Sequence, residues 1–256
     1  MRHSMKSMLI AFWLLILLAP IVDAAPVQIV THQYYPYQYE EDGELKGFVA
    51  AIVKEAFKRM GQPVSVKLYP FPRAHKMVYS GDADGIFTVA KTPERATFAN
   101  FPSDVLIWQT MALFVKADSP LGFDGDFTRL RDYRIGVIYK YRYGHVFDDV
   151  VDNGTLANIN PANSAESNAK MLVAGRLDYW VSNRELAAFV LNKLKLTEAV
   201  RELKPVVETL PTYLMFSKKR NTAALCKRFG EEVRKMRADG SYDRIIADYW
   251  QMQRKK

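Results

Sequence analysis

The chain has 256 residues and one cysteine, Cys226. A single cysteine excludes an intramolecular disulfide. Its neighbours Leu225 and Phe229 are apolar and lie in a segment with helical spacing, which favours a buried thiol over a reactive one. We therefore expect a packing role for this side chain.

Histidine and the common catalytic motifs are also scarce. Beyond residue 25 the histidines are His32, His75 and His145, and their spacing fits no metal site. The sequence contains no GxSxG, HExxH, GxGxxG, Walker or CxxC motif. We therefore expect no catalytic residue, no metal and no cofactor, and a binding protein rather than an enzyme.

Long hydrophobic runs are absent beyond the N-terminus. Residues 8–19 are apolar, follow Arg2 and Lys6, and are fewer than the roughly 20 residues that span a bilayer. Small residues follow, as at a signal-peptidase site. We predict that residues 1–24 are a cleavable signal peptide; cleavage after Ala25 and an uncleaved membrane anchor are the alternatives. The mature protein is then expected to be soluble and periplasmic.

Acidic residues are fewer than basic ones. The chain has 36 Lys and Arg against 28 Asp and Glu, which gives a formal net charge of +8. The basic residues are spread along the chain and form no block. For an exported protein this favours an anionic partner or surface over nucleic acid. We expect a monomer that binds a small molecule.

Strand and helix patterns alternate through the rest of the chain. Strands are predicted at VQIVT, VSVKL and DGIFTVA, and an amphipathic helix at residues 48–61. The same alternation starts again at Arg134. Residues 32–47 are interpreted as a loop, and PVVETL and TYLMFS near the end as two short strands.

This alternation predicts an α/β protein with parallel strands covered by helices and divided into two lobes. We assign residues 25–107 and 210–256 to the first lobe and residues 108–209 to the second. Strands near 106–112 and 205–211 are expected to cross between the lobes. Two such crossings produce a hinged cleft that is suited to closing on a ligand.

An arginine lies at an unusual place in the segment TPERATFANF. Thr92 is suited to cap a helix and Pro93 to its first position. Arg95 then falls in the first turn, where the helix dipole disfavours a cation by about 0.3–1 kcal/mol. A guanidinium beside free helix amides is suited to bind a carboxylate. We predict that Arg95 anchors a ligand carboxylate; the alternative is an ion pair within the protein.

Four stretches resemble one family, in the same order along the chain. They are YYPYQYEEDGELKGFVAAIVKEAFKRMG, SGDADGIFTVAKTPERATFANFP, VAGRLDYWVSN and MRADGSYDRIIADYW. These stretches are similar to segments of the periplasmic solute-binding proteins of ATP-driven importers, polar amino-acid type (extracellular solute-binding family 3). The resemblance implies a type II periplasmic-binding-protein-like fold with two strand crossovers at the hinge.

The resemblance also implies a set of ligand-binding residues. In that family the arginine matching Arg95 pairs with the ligand carboxylate. Tyr34 and Phe71 match aromatic residues that stack on the ligand, with core packing as the alternative. Thr88 matches a position that contributes backbone groups. Arg73 would add a second cation to the cleft, and a solvated position is its alternative.

Three departures from the family pattern bear on the ligand. Ala90 replaces a residue that usually carries a hydroxyl. The bulky and basic residues Tyr141, Arg142 and Tyr143 replace a loop rich in small residues, which suggests an anion site at the following helix start, with surface cations and rings as the alternative. Asn183 matches the aspartate that holds the ligand ammonium, and a neutral amide loses that charge-assisted bond. These departures favour a small carboxylate or other polar anion over a plain cationic amino acid.

Three functions are compatible with these features. The first is periplasmic binding of a small polar carboxylate-bearing solute, an amino acid or related organic anion, for delivery to a membrane permease of an ABC-type importer. The second is a dehydratase-like enzyme of the same fold, for which Glu185, Asp178 and His75 are the candidate acids or bases. The third is a sensory binding module that signals to a membrane receptor.

Overall fold

The computed structural model describes residues 25–139 and 141–255, which form an α/β fold. The strands are β1 Val27–Thr31, β2 Tyr39–Glu41, β3 Glu44–Lys46, β4 Val64–Leu68, β5 Gly85–Ala90, β6 Ala99–Asn100, β7 Ile107–Lys116, β8 Ile135–Ile138, β9 Ile159–Ala162, β10 Tyr179–Asn183, β11 Val200–Glu202 and β12 Glu208–Ser217. The helices are α1 Phe48–Arg59, α2 Phe71–Ser80, α3 Pro93–Phe98, α4 His145–Asp152, α5 Ala165–Val173, α6 Arg184–Lys193, α7 Ala223–Ala238 and α8 Ser241–Arg254, with short 3-10 helices at Phe127–Leu130 and Thr197–Ala199.

One mixed sheet connects the two halves of the chain. Its main order is β4-β1-β5-β12-β7-β10-β8-β9. The outer groups β4-β1-β5 and β10-β8-β9 are parallel, whereas the central pair β12-β7 is antiparallel. In that pair Glu208 lies opposite Met111 and Thr212 opposite Ile107. Both central strands therefore run from one half of the sheet into the other.

Apolar side chains pack separately on the two sides of this central pair. In the first half α1 packs against α7 and α8, with Phe57 against Phe229. In the second half α5 and α6 cover the sheet around Trp180, which is 0% exposed. On this division we propose the lobe boundaries that the sequence predicts, residues 25–107 with 210–256 and residues 108–209.

A glycine fixes the entry to α1. Gly47 has φ 105°, and a β-carbon there would overlap the carbonyl oxygen of Tyr37. Val49 and Ala50 donate their backbone N–H groups to that same oxygen. The tyrosine-rich loop before α1 is therefore held against the helix start at a position that tolerates only glycine without strain.

Two local predictions were wrong. PVVETL and TYLMFS do not form two strands, because β12 continues from Glu208 to Ser217 through Pro211. Proline lacks the ladder donor, which suggested a break, yet Pro211 pairs opposite Trp108 within the strand. The segment 32–47 is not all loop, since β2 and β3 form a hairpin within it.

Two further points concern membranes and the N-terminus. Within the described residues, no helix has both the length and the apolarity needed to cross a bilayer. The predicted signal peptide, residues 1–24, lies outside the described part of the chain.

Candidate functional site

A cavity of about 350 Å³ lies between the two halves. Its lining comes from both sides and from the central strands: Tyr34, Thr88, Ala90, Gln109, Met111, Tyr141, Arg142, Gly144, His145, Asp148, Leu210 and Thr212. A larger cavity of about 470 Å³ is lined by the β2–β3 hairpin, α1 and α8 alone. Of these two cavities, the one between the halves is where a ligand would contact both, so we place the candidate site there.

Thr88 reaches the cavity at the end of β5 with an unusual backbone. Its φ is 62°, in the left-handed region that β-branched residues rarely adopt. Its hydroxyl donates to Gln38 Oε1 over 2.8 Å, and both residues are buried. Such strain persists only where the surrounding structure enforces it, and it is concentrated at functional sites.

Two tyrosines meet across the cavity. The hydroxyls of Tyr34, before α1, and Tyr141, before α4, lie 2.5 Å apart. Burial raises the pKa of Tyr141 to about 12 and raises that of Tyr34 well above its usual value. Both phenols therefore stay protonated at neutral pH and bind as hydrogen-bonding groups, not as anions.

Asn183 lies in a second polar contact between the halves. The Tyr37 hydroxyl is 3.0 Å from Asn183 Oδ1 and 2.7 Å from Glu185 Oε2. Asn183 Oδ1 also accepts the Leu186 backbone N–H, which caps α6. Burial raises the pKa of Glu185. Asn183 does not line the cavity, and its buried Nδ2 has no hydrogen-bond partner in the described part of the chain.

Arg95 lies at the edge of the cavity. Its Nη1 donates to the carbonyl of Ala90, a lining residue, over 2.8 Å. Thr92 caps α3 by accepting the Arg95 backbone N–H, as the sequence predicts. Burial lowers the pKa of the guanidinium, and Arg95 forms no ion pair with any residue in the described ranges. The intramolecular ion pair that the sequence left open is therefore not formed there.

Phe71 and Arg73 lie outside the cavity lining. The Arg95 guanidinium lies over the Phe71 ring, with its Cζ atom 5.6 Å from the ring centroid. The same ring packs edge-on against His32. Arg73 is exposed and lies over the Tyr69 ring. Burial, assisted by the nearby Arg95 charge, lowers the pKa of His32 to about 4. The structure thus groups Phe71 with Arg95 and leaves Arg73 at the surface.

The basic loop before α4 has its charge compensated within the protein. Arg142 lines the cavity, but its guanidinium pairs with Asp148 and Asp152, each at 3.0 Å. Tyr143 is 2% exposed and accepts the Ile138 backbone N–H through its hydroxyl. Lys140, in the same loop, lies outside the described residues. The added positive charge expected of this loop is therefore offset by two aspartates.

Several residues of the site were not predicted from the sequence. Gln38 and Gln109 are buried, and neither Nε2 has a hydrogen-bond partner among the described residues. Gln109 lines the cavity, and Gln38 holds Thr88. Gln109 and Thr110 are the two polar residues in the segment IWQTMALFV, and this interruption of an apolar strand is the sequence feature that could have indicated Gln109.

The residues considered for catalysis or metal binding do not meet. Asp178 pairs with Arg134 at 2.7 Å, and His75 packs between Phe71 and Phe98. Neither lines the interlobe cavity. Within residues 25–139 and 141–255, no cluster of His, Cys, Asp and Glu could hold a metal ion.

Fold and cavity together are those of a protein that binds a solute between two lobes. The chain belongs to the bacterial extracellular solute-binding proteins, family 3, whose model matches residues 27–252. It is 23% identical over 221 residues to the probable amino-acid-binding protein YxeM of Bacillus subtilis (strain 168), covering 86% of this chain and 81% of that protein.

Solved structures show the same two-lobe fold. One is the probable amino-acid ABC transporter extracellular-binding protein YtmK from Bacillus subtilis, with a TM-score of 0.72, 19% identity, and coverage of 87% of this chain and 97% of that one. Another is a histidine kinase sensor domain with similarity to periplasmic binding proteins, with a TM-score of 0.68, 19% identity, and coverage of 87% and 95%. The predicted family and fold class are confirmed.

Proposed function

We propose that this protein binds a small polar solute with a carboxylate group in the interlobe cavity and delivers it to a membrane permease. The observation that carries the proposal is Arg95. It is a partly buried cation at the cavity edge without a carboxylate partner in the described residues, and a neutral carbonyl, Ala90, holds its guanidinium. Exchange of that carbonyl for a ligand carboxylate replaces a neutral acceptor with a charged one, which is the stronger bond.

Unpartnered amide donors support an acceptor-rich ligand. Gln109, which lines the cavity, and Gln38 and Asn183, which lie near it, are all buried and each has a free N–H group within the described chain. A buried donor without an acceptor costs about 1–3 kcal/mol. A carboxylate or carbonyl oxygen of a ligand in the cavity would recover this energy at Gln109, and an apolar ligand would not.

Residues of both halves line the cavity, so ligand binding can depend on how the two halves are positioned. Tyr34 and Thr88 come from one half, and Tyr141 and Arg142 from the other. A ligand that contacts both halves favours the arrangement in which the halves are close. Recognition of that arrangement by a permease would couple binding to delivery, with the protein acting as an exported monomer.

A sensory role is the second candidate. The likeness to a histidine kinase sensor domain motivates it, because the same cleft closure could be recognised by a receptor. In that case the ligand class would be the same and the membrane partner would differ. Reconstitution with a permease and its ATPase distinguishes the two roles, since ligand-dependent stimulation of ATP hydrolysis is expected only for transport.

A thermal-shift screen tests the proposed function. Amino acids, their amides, and mono- and dicarboxylic acids are added to the mature protein, and calorimetry follows for each compound that raises Tm, since a ligand that binds only the folded state stabilises it. We expect the responding compounds to contain a carboxylate. A response confined to compounds without a carboxylate would contradict the proposal.

A further inference from the structure

The start of α4 lies beside the cavity and already holds a carboxylate from β12. The Val146 backbone N–H donates to Glu208 Oε2 over 3.1 Å. Gly144, which lines the cavity and precedes α4, has φ 103°. A β-carbon at Gly144 would overlap the same Glu208 oxygen. The absence of a side chain at 144 therefore makes the room in which the Glu208 carboxylate lies.

Two backbone donors just before this helix are also satisfied inside the protein. The Asp148 carboxylate accepts the backbone N–H groups of Tyr143 and Gly144 over 3.0 and 3.2 Å. It also pairs with Arg142. The first turn of a helix with its free amides is a favourable place for an anion. Here Asp148 and Glu208 are the anions that bind there.

A separate observation indicates that a polar group of a ligand binds next to the start of α4. Gln109 is 6% exposed, lines the cavity, and has no partner for its Nε2 among the described residues. It lies opposite Leu210 in the β7–β12 register, and Leu210 lies beside Gly144. An acceptor on a bound solute would satisfy this amide, and it would then lie near the Glu208 carboxylate.

We propose that Glu208 determines specificity: its carboxylate occupies the anion-binding start of α4 and excludes solutes that carry a second anionic group at that end of the cavity. The inference rests on the proposed function, in which Arg95 anchors one carboxylate. Two like charges at one site repel, and the Val146 amide that would stabilise a second anion already binds Glu208. The ligand class is thus narrowed to solutes with one carboxylate whose far end carries no negative charge and offers an acceptor to Gln109.

Inorganic phosphate is the first probe, because it is an anion that can bind at the start of α4 without being part of an organic ligand. Tm and the amide chemical shift of Val146 are measured with phosphate or with chloride at equal ionic strength, for the wild type, Glu208→Ala and Glu208→Gln. Glu198→Ala, which removes an exposed carboxylate from the same half, is the matched control. We expect phosphate to raise the Tm of Glu208→Ala by about 2 °C or more and to shift the Val146 amide, with a smaller effect in Glu208→Gln. The wild type and Glu198→Ala should not respond.

Succinate and glutarate are the second probes. Glu208→Gln is expected to gain a thermal response to these dicarboxylates that the wild type lacks. Equal responses of wild type and variants, to phosphate or to dicarboxylates, would overturn the role of Glu208, as would no response in either variant. If Glu208→Ala does not fold, the comparison of Glu208→Gln with wild type decides. Because phosphate binding requires no organic ligand, a failed carboxylate screen refutes the proposed function separately from the Glu208 inference.

Discussion

The hydroxyl groups of Tyr34 and Tyr141 lie 2.5 Å apart and join the loop before α1 to the loop before α4 across the cavity. Both rings are part of the cavity lining. The same tyrosine-rich segment contacts the second half again through Tyr37 with Asn183, and through Tyr35 stacked on Phe189. One short loop of the first half therefore contributes polar and apolar contacts to the opposite side of the cleft.

We expect the Tyr34–Tyr141 hydrogen bond to appear as a coupling energy. Tyr34→Phe and Tyr141→Phe keep both rings and remove one hydroxyl each. The free energy of unfolding in urea, measured for wild type, both single variants and the double variant, should give a coupling of about 0.5–1.5 kcal/mol. The control cycle pairs Tyr34→Phe with Tyr79→Phe and should be additive, because Tyr79 is 54% exposed. A coupling of zero between Tyr34 and Tyr141 would mean that the bond adds nothing to stability.

Arg95→Ala should weaken binding of any carboxylate found in the screen by about tenfold or more, because a charge-assisted bond contributes about 1.5–3 kcal/mol. Calorimetry gives the dissociation constants. Arg244→Ala is the matched control, since Arg244 is exposed on α8 and remote from the cavity lining. Unchanged affinity in Arg95→Ala would assign this arginine a structural role, in holding Ala90 and covering Phe71.

Glu185 should make the protein less stable as pH rises. Burial raises its folded-state pKa above the usual value for a glutamate, so the folded protein binds the proton more tightly than the unfolded chain. The stabilisation that comes from this tighter proton binding is fully present below about pH 4.5, and it is lost as pH rises through the raised folded-state pKa of Glu185. Glu185→Gln keeps an acceptor for Tyr37 and removes the charge, so its advantage over wild type should increase with pH.

Thermal unfolding of wild type and Glu185→Gln between about pH 4 and pH 8 measures this difference. Glu198→Gln serves as the control, because Glu198 is exposed in the same half. If the difference in Tm between wild type and Glu185→Gln is the same at every pH, the carboxyl of Glu185 does not titrate abnormally in the folded state.

Gly144→Ala should destabilise the protein more than Gly154→Ala. Both glycines have positive φ, 103° and 78°, so each alanine pays for an unfavourable backbone conformation. A β-carbon at 154 meets nothing within 4 Å, whereas at 144 it would overlap the Glu208 carboxylate. Urea unfolding should show an additional cost of about 1–3 kcal/mol at 144. Adding Glu208→Ala should remove most of that excess; persistence of the full excess would rule out the overlap as its cause.

The local periodicity of the sequence predicts most of the helices and strands of the fold. The predicted strands at VQIVT and VSVKL and the helix around Phe48 appear as β1, β4 and α1. The continuity of β12 could not be predicted, because Pro211 suggests a break locally and pairing with β7 overrides it. Register between distant strands is a tertiary property, and no local pattern specifies it.

The site was only partly predictable for the same reason. Four of the predicted residues line the cavity: Tyr34, Thr88, Tyr141 and Arg142. The others do not belong to its lining: Phe71, Arg73, Arg95, Tyr143 and Asn183. Glu208 and Gln109 were not predicted as site residues, because their position beside the cavity depends on the register between β7 and β12.

The ion pairs of Arg142 with Asp148 and Asp152 could have been predicted from the sequence. Asp148 and Asp152 are four residues apart on one helix, so their carboxylates lie on the same face and can bind one guanidinium together.

The unbroken central strands have a consequence for how the cleft can widen. From Thr212 opposite Ile107 to Glu208 opposite Met111, β12 and β7 stay paired along the whole passage between the halves. A rotation of one half against the other can be absorbed as added twist in this two-stranded ribbon, with its backbone hydrogen bonds intact. Amide hydrogen exchange in the ribbon should then remain slow while exchange in the Tyr34 and Tyr141 loops changes with ligand, so the hinge bends without unfolding.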